Sequence, residues 1–176
     1  MYLRKESNFL FQEERIMTMI NTYQPAMLDY TEAEREQLSE HFTLTEMVRS
    51  ATAIRLGLKN VPDDLAVYHL RLLCRHVLEP LRRRFGVIRI TSGYRSKKLN
   101  DAVGGAEFSQ HRYGMAADIY VPNAEVGKKM YEFIRTQTDF DQLIYEYRKP
   151  TRTHWIHVSY NPERNRKQAF MNYIMK

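Results

Sequence analysis

The stretch from Ser109 to Asp118 constrains the fold of this 176-residue chain more than any other part of it. His111 precedes a short segment of alternating residues that ends in a β-branched pattern, and Asp118 lies inside that segment. Alternation predicts a strand over residues 116–121, in which Ala116 and Asp118 share one face. Gly114 permits the turn that leads into it. The pattern therefore predicts a polar site where a turn meets a sheet.

Two further imidazoles follow, His154 and His157, in a second segment that is predicted to be a strand. Two histidines and one aspartate are a ligand set that zinc accepts while one position stays open for water. Taken singly, each residue also has a structural interpretation: a histidine in a turn, a carboxylate paired with an arginine, a half-buried histidine. The residues by themselves leave both interpretations open.

Composition bounds the class of protein. Hydrophobic residues make up 43% and charged residues 27% of the chain, as in ordinary globular proteins. No apolar run approaches the length of a membrane span, and the first residues do not resemble a signal peptide. We therefore expect a protein made in the cytoplasm, with no membrane span. The single cysteine, Cys74, excludes an internal disulfide and is expected to be a buried small hydrophobe.

Charge is spread unevenly along the chain. Residues 1–50 carry 9 acidic and 5 basic side chains, whereas residues 51–176 carry 12 acidic and 22 basic ones. The basic part of the chain, residues 51–176, could bind nucleic acid, an anionic membrane or an anionic cell wall. The aromatic and basic residues do not interleave as on a nucleic-acid platform, so we expect no nucleic-acid partner. We expect a monomer.

The secondary-structure pattern predicts an α+β fold. Thr43 is expected to cap a helix that runs to about Arg55, Pro62 to open a second helix, and Asn123 to cap a third that ends near Gln137. Strands are predicted over residues 87–91, 116–121, 142–147 and 154–160. Helices followed by strands predict a small, mainly antiparallel sheet with helices packed on it.

Three segments are expected along the chain. Residues 1–41 form an N-terminal extension with a short amphipathic helix near residues 9–20, and residues 42–162 form the main domain. Residues 163–176 form a basic C-terminal tail whose apolar residues suit either a strand or a helix.

The pattern Ser109-x-His111-x-x-Gly114-x-Ala116-x-Asp118 resembles the signature of the M15 peptidases. This family contains zinc D-Ala-D-Ala carboxypeptidases and L-Ala-D-Glu endopeptidases. Residues 91–100 look like its arginine-bearing loop, and residues 155–159 look like the strand of its third ligand. Residues 42–82 are similar to the helical front of the phage-type branch, so that the resemblance covers about residues 42–160. It implies a fold like that of the DD-peptidases and hedgehog proteins.

The resemblance implies that His111, Asp118 and His157 hold zinc. Such a site keeps a net positive charge, which lets a bound water lose a proton near neutral pH. The family's arginine corresponds to Arg95, which would grip a substrate carboxylate or a neighbouring carbonyl in a planar fork. A structural salt bridge is the alternative role for Arg95.

The general base is where this chain departs from the best-known branch of the family. That branch has an acidic residue three positions before the third ligand, and here the position is His154. Histidine can accept a proton near neutral pH. In a regular strand, however, His154 and His157 face opposite ways, so His154 must lie at an irregular strand entrance. Glu146 on the preceding strand competes for the role, and the sequence favours His154 modestly over it. Ser109 is expected at the pocket rim, and Trp155 in the pocket wall or the core.

The resemblance implies a zinc metallopeptidase that hydrolyses peptide bonds in bacterial peptidoglycan stem peptides, as a carboxypeptidase or an endopeptidase. We expect it to act at the cell wall after release, as a phage endolysin does. The alternative is a weakly active or inactive zinc-containing module that binds the cell wall, which the departure at His154 motivates.

Overall fold

The computed structural model describes residues 36–175. The helix expected near residues 9–20 and most of the predicted extension lie outside these residues. The described residues belong to a compact unit that spans Ala33–Lys176. Within them, no helix is both long enough and apolar enough to cross a membrane.

Helices dominate the first half of the described chain. They are α1 (Leu44–Val48), α2 (Ala51–Leu56), α3 (Asp64–Leu73), a π-helical turn (Cys74–Leu78), α4 (Glu79–Phe85) and α5 (Lys97–Ala102). The π-helical turn ends two residues before Pro80, which lacks the amide hydrogen that would continue the regular α-helical ladder.

The single helix predicted from Thr43 to Arg55 is wrong, because the chain breaks it in two. Thr43 does cap α1, since its hydroxyl accepts from the Glu46 amide at 3.3 Å. At Arg49 the backbone turns extended, with φ −64° and ψ 129°. Ser50 then caps α2 by accepting from the Ala53 amide at 3.2 Å. Because the Ser50 side chain satisfies a free amide at a helix start, it favours a new helix there over continuation of α1.

The second half forms a five-stranded sheet in the order β1-β2-β4-β3-β5. Its strands are β1 (Ile90–Ser92), β2 (Ala116–Val121), β3 (Gln142–Arg148), β4 (Thr153–Ser159) and β5 (Gln168–Ile174). One helix, α6 (Ala124–Gln137), follows β2, and Asn123 caps it as predicted by accepting from the Val126 amide at 2.9 Å. Strand β2 also has its predicted bounds.

The α+β class is confirmed, but the sheet is mixed rather than mainly antiparallel, because β5 pairs parallel to β3. Strand β4 ends beside the start of β3, and residues 160–167 stay at that end of the sheet. They pass one strand and deliver β5 to the outer edge of β3, where Gln168 pairs with Gln142. Because this connection stays at one end of the sheet, β5 runs antiparallel to β4. Strand β3 is also antiparallel to β4, so β5 runs parallel to β3.

Alternation along the strands gives the sheet two different faces. One face packs on the helices and forms the core with residues such as Ile119, Leu143, Ile156 and Val158, all fully buried. The other face carries Asp118, His157, Trp155 and Glu146, which the register places side by side on β2, β4 and β3. The polar site therefore lies on the sheet face away from the core.

Candidate metal centre

His111 is held by a 3₁₀ turn, Gln110–Tyr113, that ends at Gly114. Gly114 has φ +71°, and a Cβ there would lie 2.2 Å from the Ala66 carbonyl oxygen, so only glycine lets the turn pack this closely on α3. The His111 ring is 3% exposed, and its Nδ1 donates to the Gly93 carbonyl at 2.7 Å. That bond fixes the tautomer and leaves Nε2 with a lone pair toward the sheet.

Asp118 and His157 meet this nitrogen because they are direct partners on the neighbouring strands β2 and β4. Asp118 Oδ1 lies 2.9 Å from His157 Nδ1 and 3.3 Å from His111 Nε2. The two imidazole nitrogens are 3.2 Å apart. The structure therefore brings together the three ligands expected from the sequence.

The donor set fits zinc. Tetrahedral ligands with bonds of about 2.0–2.1 Å lie roughly 3.3 Å from one another, and the three donor atoms are separated by 2.9–3.3 Å. Two neutral imidazoles and one carboxylate would leave a divalent ion with a net positive charge and an open position. His111, Asp118 and His157 are thus a chemically suitable zinc site.

The electrostatics of the site favour the protonation states that a metal requires. Burial lowers the pKa of His111 and outweighs the opposite effect of the neighbouring Asp118 carboxylate. Burial by itself would raise the pKa of Asp118, but the adjacent His111 and His157 hold the pKa of that carboxyl below its usual range. Neutral imidazole and ionised carboxylate are the forms that bind zinc.

Arg95 holds the Asp118 carboxylate on the side away from the two histidines. Its Nη2 donates to Asp118 Oδ2 at 2.5 Å and its Nε to Ser92 Oγ at 2.8 Å, and its side chain is only 17% exposed. One oxygen of Asp118 thus faces the histidines while the other is held by a guanidinium, the usual arrangement around a ligating carboxylate. Arg95 lines the cavity, but two of its nitrogens are engaged by the protein itself.

A cavity of about 550 Å³ opens over the three ligands. Ser109 and Trp155 line it, so of the two positions expected for Trp155, the pocket wall or the core, the structure shows the pocket wall. Trp155 is half-buried, and the Arg148 guanidinium lies 5.7 Å from the centre of its ring. Glu146 lines the same cavity, two residues along β3 from Ile144, the partner of His157.

Glu146 is oriented by a neighbour on β5. Its Oε2 accepts from Asn172 Nδ2 at 2.8 Å, and the two residues are register partners. Burial raises the pKa of Glu146 above its usual value, and Asp118 acts in the same direction, against the opposing effects of Asn172 and His157. A carboxylate with a raised pKa beside a metal site is suited to accept and return a proton.

The position expected for His154 is wrong. It does not lie at an irregular strand entrance, because it pairs regularly with Val121 on β2 and Tyr147 on β3. Its ring stacks on Tyr147 at 4.6 Å, and its Nδ1 lies 2.9 Å from the Tyr145 hydroxyl. It lines a separate cavity of about 310 Å³ together with Val121 and Trp155, and it is not among the residues that line the cavity over the ligands. The structure brings Glu146, not His154, to the ligands.

Sequence reasoning missed a polar cluster at one end of the cavity. Asp141, 1% exposed, accepts from Arg166 Nε at 2.8 Å, from Arg166 Nη2 at 2.6 Å and from Gln110 Nε2 at 2.8 Å. Arg166 and Gln110 line the cavity. No periodicity marked these residues, because Arg166 lies in a loop and its partner Asp141 is 25 residues away.

A second group of possible metal ligands, Glu40, His41 and Glu79, has a structural explanation. Glu79 is buried, and its Oε1 accepts from Ser39 Oγ at 2.7 Å and from the His41 amide at 2.8 Å. Its Oε2 lies 2.9 Å from His41 Nδ1. Both oxygens of Glu79 are therefore engaged in fastening the loop before α1 to α4.

Comparison with known proteins agrees with this geometry. The family model described as Peptidase M15 matches residues 40–159, about two thirds of the chain and all three candidate ligands. No curated protein matches the chain. Peptidases of this family generally depend on zinc, which the donor set of His111, Asp118 and His157 suits. The chain belongs to the M15 peptidase family.

Proposed function

We propose that this peptidase is zinc-dependent and hydrolyses a peptide bond in the stem peptides of bacterial peptidoglycan. The observation that carries the proposal is the convergence of His111, Asp118 and His157, with donor atoms 2.9–3.3 Å apart, at the floor of a cavity that also contains Glu146. A metal site with a titratable carboxylate beside it is the arrangement that metal-assisted hydrolysis needs.

Zinc, when bound, supplies a Lewis acid that polarises the scissile carbonyl and activates water. The protein supplies the rest. The bond from His111 Nδ1 to the Gly93 carbonyl keeps that ring in one orientation, and the hydrogen bond from Arg95 Nη2 to Oδ2 keeps the Asp118 carboxylate in place. Preorganised groups of this kind reduce the reorganisation required during reaction.

Glu146 is the group proposed to move the proton. Its carboxylate accepts a proton from the attacking water and returns it to the leaving amine, a role for which its raised pKa is suited. Asn172 holds one carboxylate oxygen at 2.8 Å, which fixes the rotamer. Trp155, opposite Glu146 in the sheet, forms the adjacent wall of the cavity.

The choice of peptidoglycan rests on the family resemblance and on charge. Residues 51–176 carry 22 basic and 12 acidic side chains, a balance that favours adsorption to anionic cell walls. Action at the wall after release from the cell is part of the same proposal.

The test is reconstitution of metal-free protein with zinc, followed by mass spectrometry of purified muropeptides. We expect zinc to restore cleavage, and we expect His157→Ala to bind less zinc and to cleave nothing. His76→Ala is the matched control, because His76 lies outside the cavity and stacks on Tyr160. Zinc-loaded protein that sediments with peptidoglycan but releases no fragment would replace the peptidase proposal with the binding-module alternative.

A further inference from the structure

A second cavity borders the catalytic one, and the two share a wall. Its volume is about 310 Å³, and Trp155 lines both cavities. The register partner of Trp155 is Tyr120, which also lines the second cavity and is 46% exposed. The candidate ligands Asp118 and His157 are the next pair on the same face, two residues along the same strands. Two residues along a strand advance about 6.6–6.8 Å, so an elongated substrate bound at the ligands extends towards the second cavity.

The second cavity combines an apolar wall with hydrogen-bonding groups at its rim. Tyr120, Trp155 and Pro122 form part of the wall, and Thr91 and Arg152 lie at the rim. None of the described residues that line it carries a carboxylate. An apolar cavity with a few polar groups is typical of a site for a small molecule or for one unit of a larger substrate.

Arg152 has a backbone conformation that arginine rarely adopts. Its φ is +52°, in the left-handed region, and it closes the turn between β3 and β4, where its amide donates to the Lys149 carbonyl at 3.3 Å. Its side chain lines the second cavity and makes no hydrogen bond or ion pair with any of residues 36–175. Backbone strain beside a cavity, together with a cation that has no partner there, indicates a binding role for Arg152.

Two further arginines lie beside the cavity, but each is placed over an aromatic ring. The guanidinium of Arg89 lies 5.6 Å from the centre of the Tyr120 ring, and that of Arg148 lies 5.7 Å from the centre of the Trp155 ring. Arg152 is the one permanently charged residue among the described residues that line the cavity. A polyanion would lose water against the aromatic wall with a single cation to compensate. A neutral sugar ring fits better, because its C–H face packs on aromatic rings and its oxygens accept from a guanidinium.

We propose that the second cavity binds an N-acetylated amino sugar of the peptidoglycan glycan strand, so that the enzyme recognises the sugar and the stem peptide together. The sugar ring packs against Tyr120 and Trp155, and Arg152 donates to one of its oxygens. The inference rests on the proposed function, because stem peptides are attached to such a sugar. It makes a glycopeptide, rather than a free peptide, the preferred substrate.

The experiment compares two substrates with the same stem peptide, one attached to N-acetylmuramic acid and one acetylated at its N-terminus instead. For the zinc-loaded protein we expect kcat/KM to be about 10- to 100-fold higher for the glycopeptide, the range expected for a hydrogen bond from a charged group. In Arg152→Gln and in Tyr120→Ala this ratio should fall towards 1. The ratio does not depend on the fraction of active enzyme, so partial misfolding does not mask the result.

Lys149→Gln is the matched control, since Lys149 is exposed in the same turn and lines neither cavity. It removes the same charge and should leave the ratio unchanged. Arg152→Gly supplies a test that a purely structural role would fail. Glycine adopts positive φ without strain, so this variant should lose the preference for the glycopeptide without a lower Tm.

Fluorescence supplies a measurement without turnover, because Trp155 is the single tryptophan of the chain and lines both cavities. We expect the disaccharide of N-acetylglucosamine, which carries no peptide, to change the emission of zinc-loaded protein in a saturable way. The change should persist in Lys149→Gln and disappear in Arg152→Gln.

Three results would overturn the inference and leave the peptidase intact. They are equal kcat/KM for glycopeptide and peptide in the unaltered enzyme, an unchanged ratio in Arg152→Gln, and a fluorescence response to poly(glycerol phosphate) but not to the disaccharide. The last would assign the cavity to an anionic polymer. Failure to cleave either substrate would instead refute the proposed function, and the response to the disaccharide would then decide whether the cavity binds sugar.

Discussion

Replacement of Glu146 by glutamine tests the catalytic assignment most directly. Glutamine has nearly the same shape, and its amide oxygen can still accept from Asn172, which lies 2.8 Å from the carboxylate. The substitution therefore removes the capacity to take up a proton while it leaves the cavity wall in place. The matched variant is His154→Gln, which alters the residue that the sequence favoured as base.

The expected magnitudes follow from the sheet. Glu146 is opposite Trp155, so it is a diagonal neighbour of His157 on the same face, at a backbone separation of about 7–8 Å. A glutamate side chain spans most of that distance. General-base catalysis typically contributes about 10²–10⁴-fold, so kcat should fall by that factor in Glu146→Gln. His154 is on the other face, and its replacement should change kcat by less than about threefold.

The assay is kcat for peptide hydrolysis with bound zinc measured in the same samples, so that metal loss is separated from loss of the base. His154→Gln should instead lower stability by about 1 kcal/mol, because it removes the contact with the Tyr145 hydroxyl at 2.9 Å. A fully active Glu146→Gln together with an inactive, zinc-replete His154→Gln would refute the assignment and the face argument behind it.

Three further outcomes are expected. Zinc at 100 times its dissociation constant should raise the free energy of unfolding of metal-free protein by about 2.7 kcal/mol, seen as a higher Tm that His157→Ala abolishes. Gly114→Ala should lower the free energy of unfolding in urea by about 2–4 kcal/mol, because φ is +71° and the new Cβ would lie 2.2 Å from the Ala66 carbonyl oxygen. The pKa of Asp141 is held below its usual range: burial opposes this, but Arg166 outweighs it. The stability from this pair should be fully present above pH about 4 and be lost as pH falls further, and Asp141→Asn should flatten this acid limb in thermal scans.

Helix caps and strand bounds were predictable where neighbouring residues in the sequence determine them. Asn123 has the side chain for an N-cap and precedes a clear apolar stripe, and the helix begins there. The alternation of residues 116–121 defines β2 to the residue. The three candidate ligands also followed, because the motif order put them in a turn and on two strands, and strand parity allowed one face for Asp118 and His157.

The parts that escaped prediction depend on distant partners. Periodicity shows that a segment suits a strand, but it does not say which edge the strand joins, and so the parallel pairing of β5 with β3 was not visible. The position expected for His154 was wrong for a related reason. Parity already argued against it, and only an irregular start of β4 would have brought it to the ligands; the strand is regular there.

Strand β5 bears on both the sheet topology and the position of the proposed base. Its pairing with β3 places Asn172 against Glu146 at one end of the cavity, and the loop that leads into it places Arg166 at the other end. A histidine at position 154 therefore does not require that the base was lost, because the adjacent strand presents a carboxylate to the same cavity and β5 orients it. In a sheet, a side chain two residues along the neighbouring strand is a diagonal neighbour on the same face, whereas one three residues along the ligand's own strand faces away. By this geometry Glu146 is better placed than His154 to exchange a proton at the metal site.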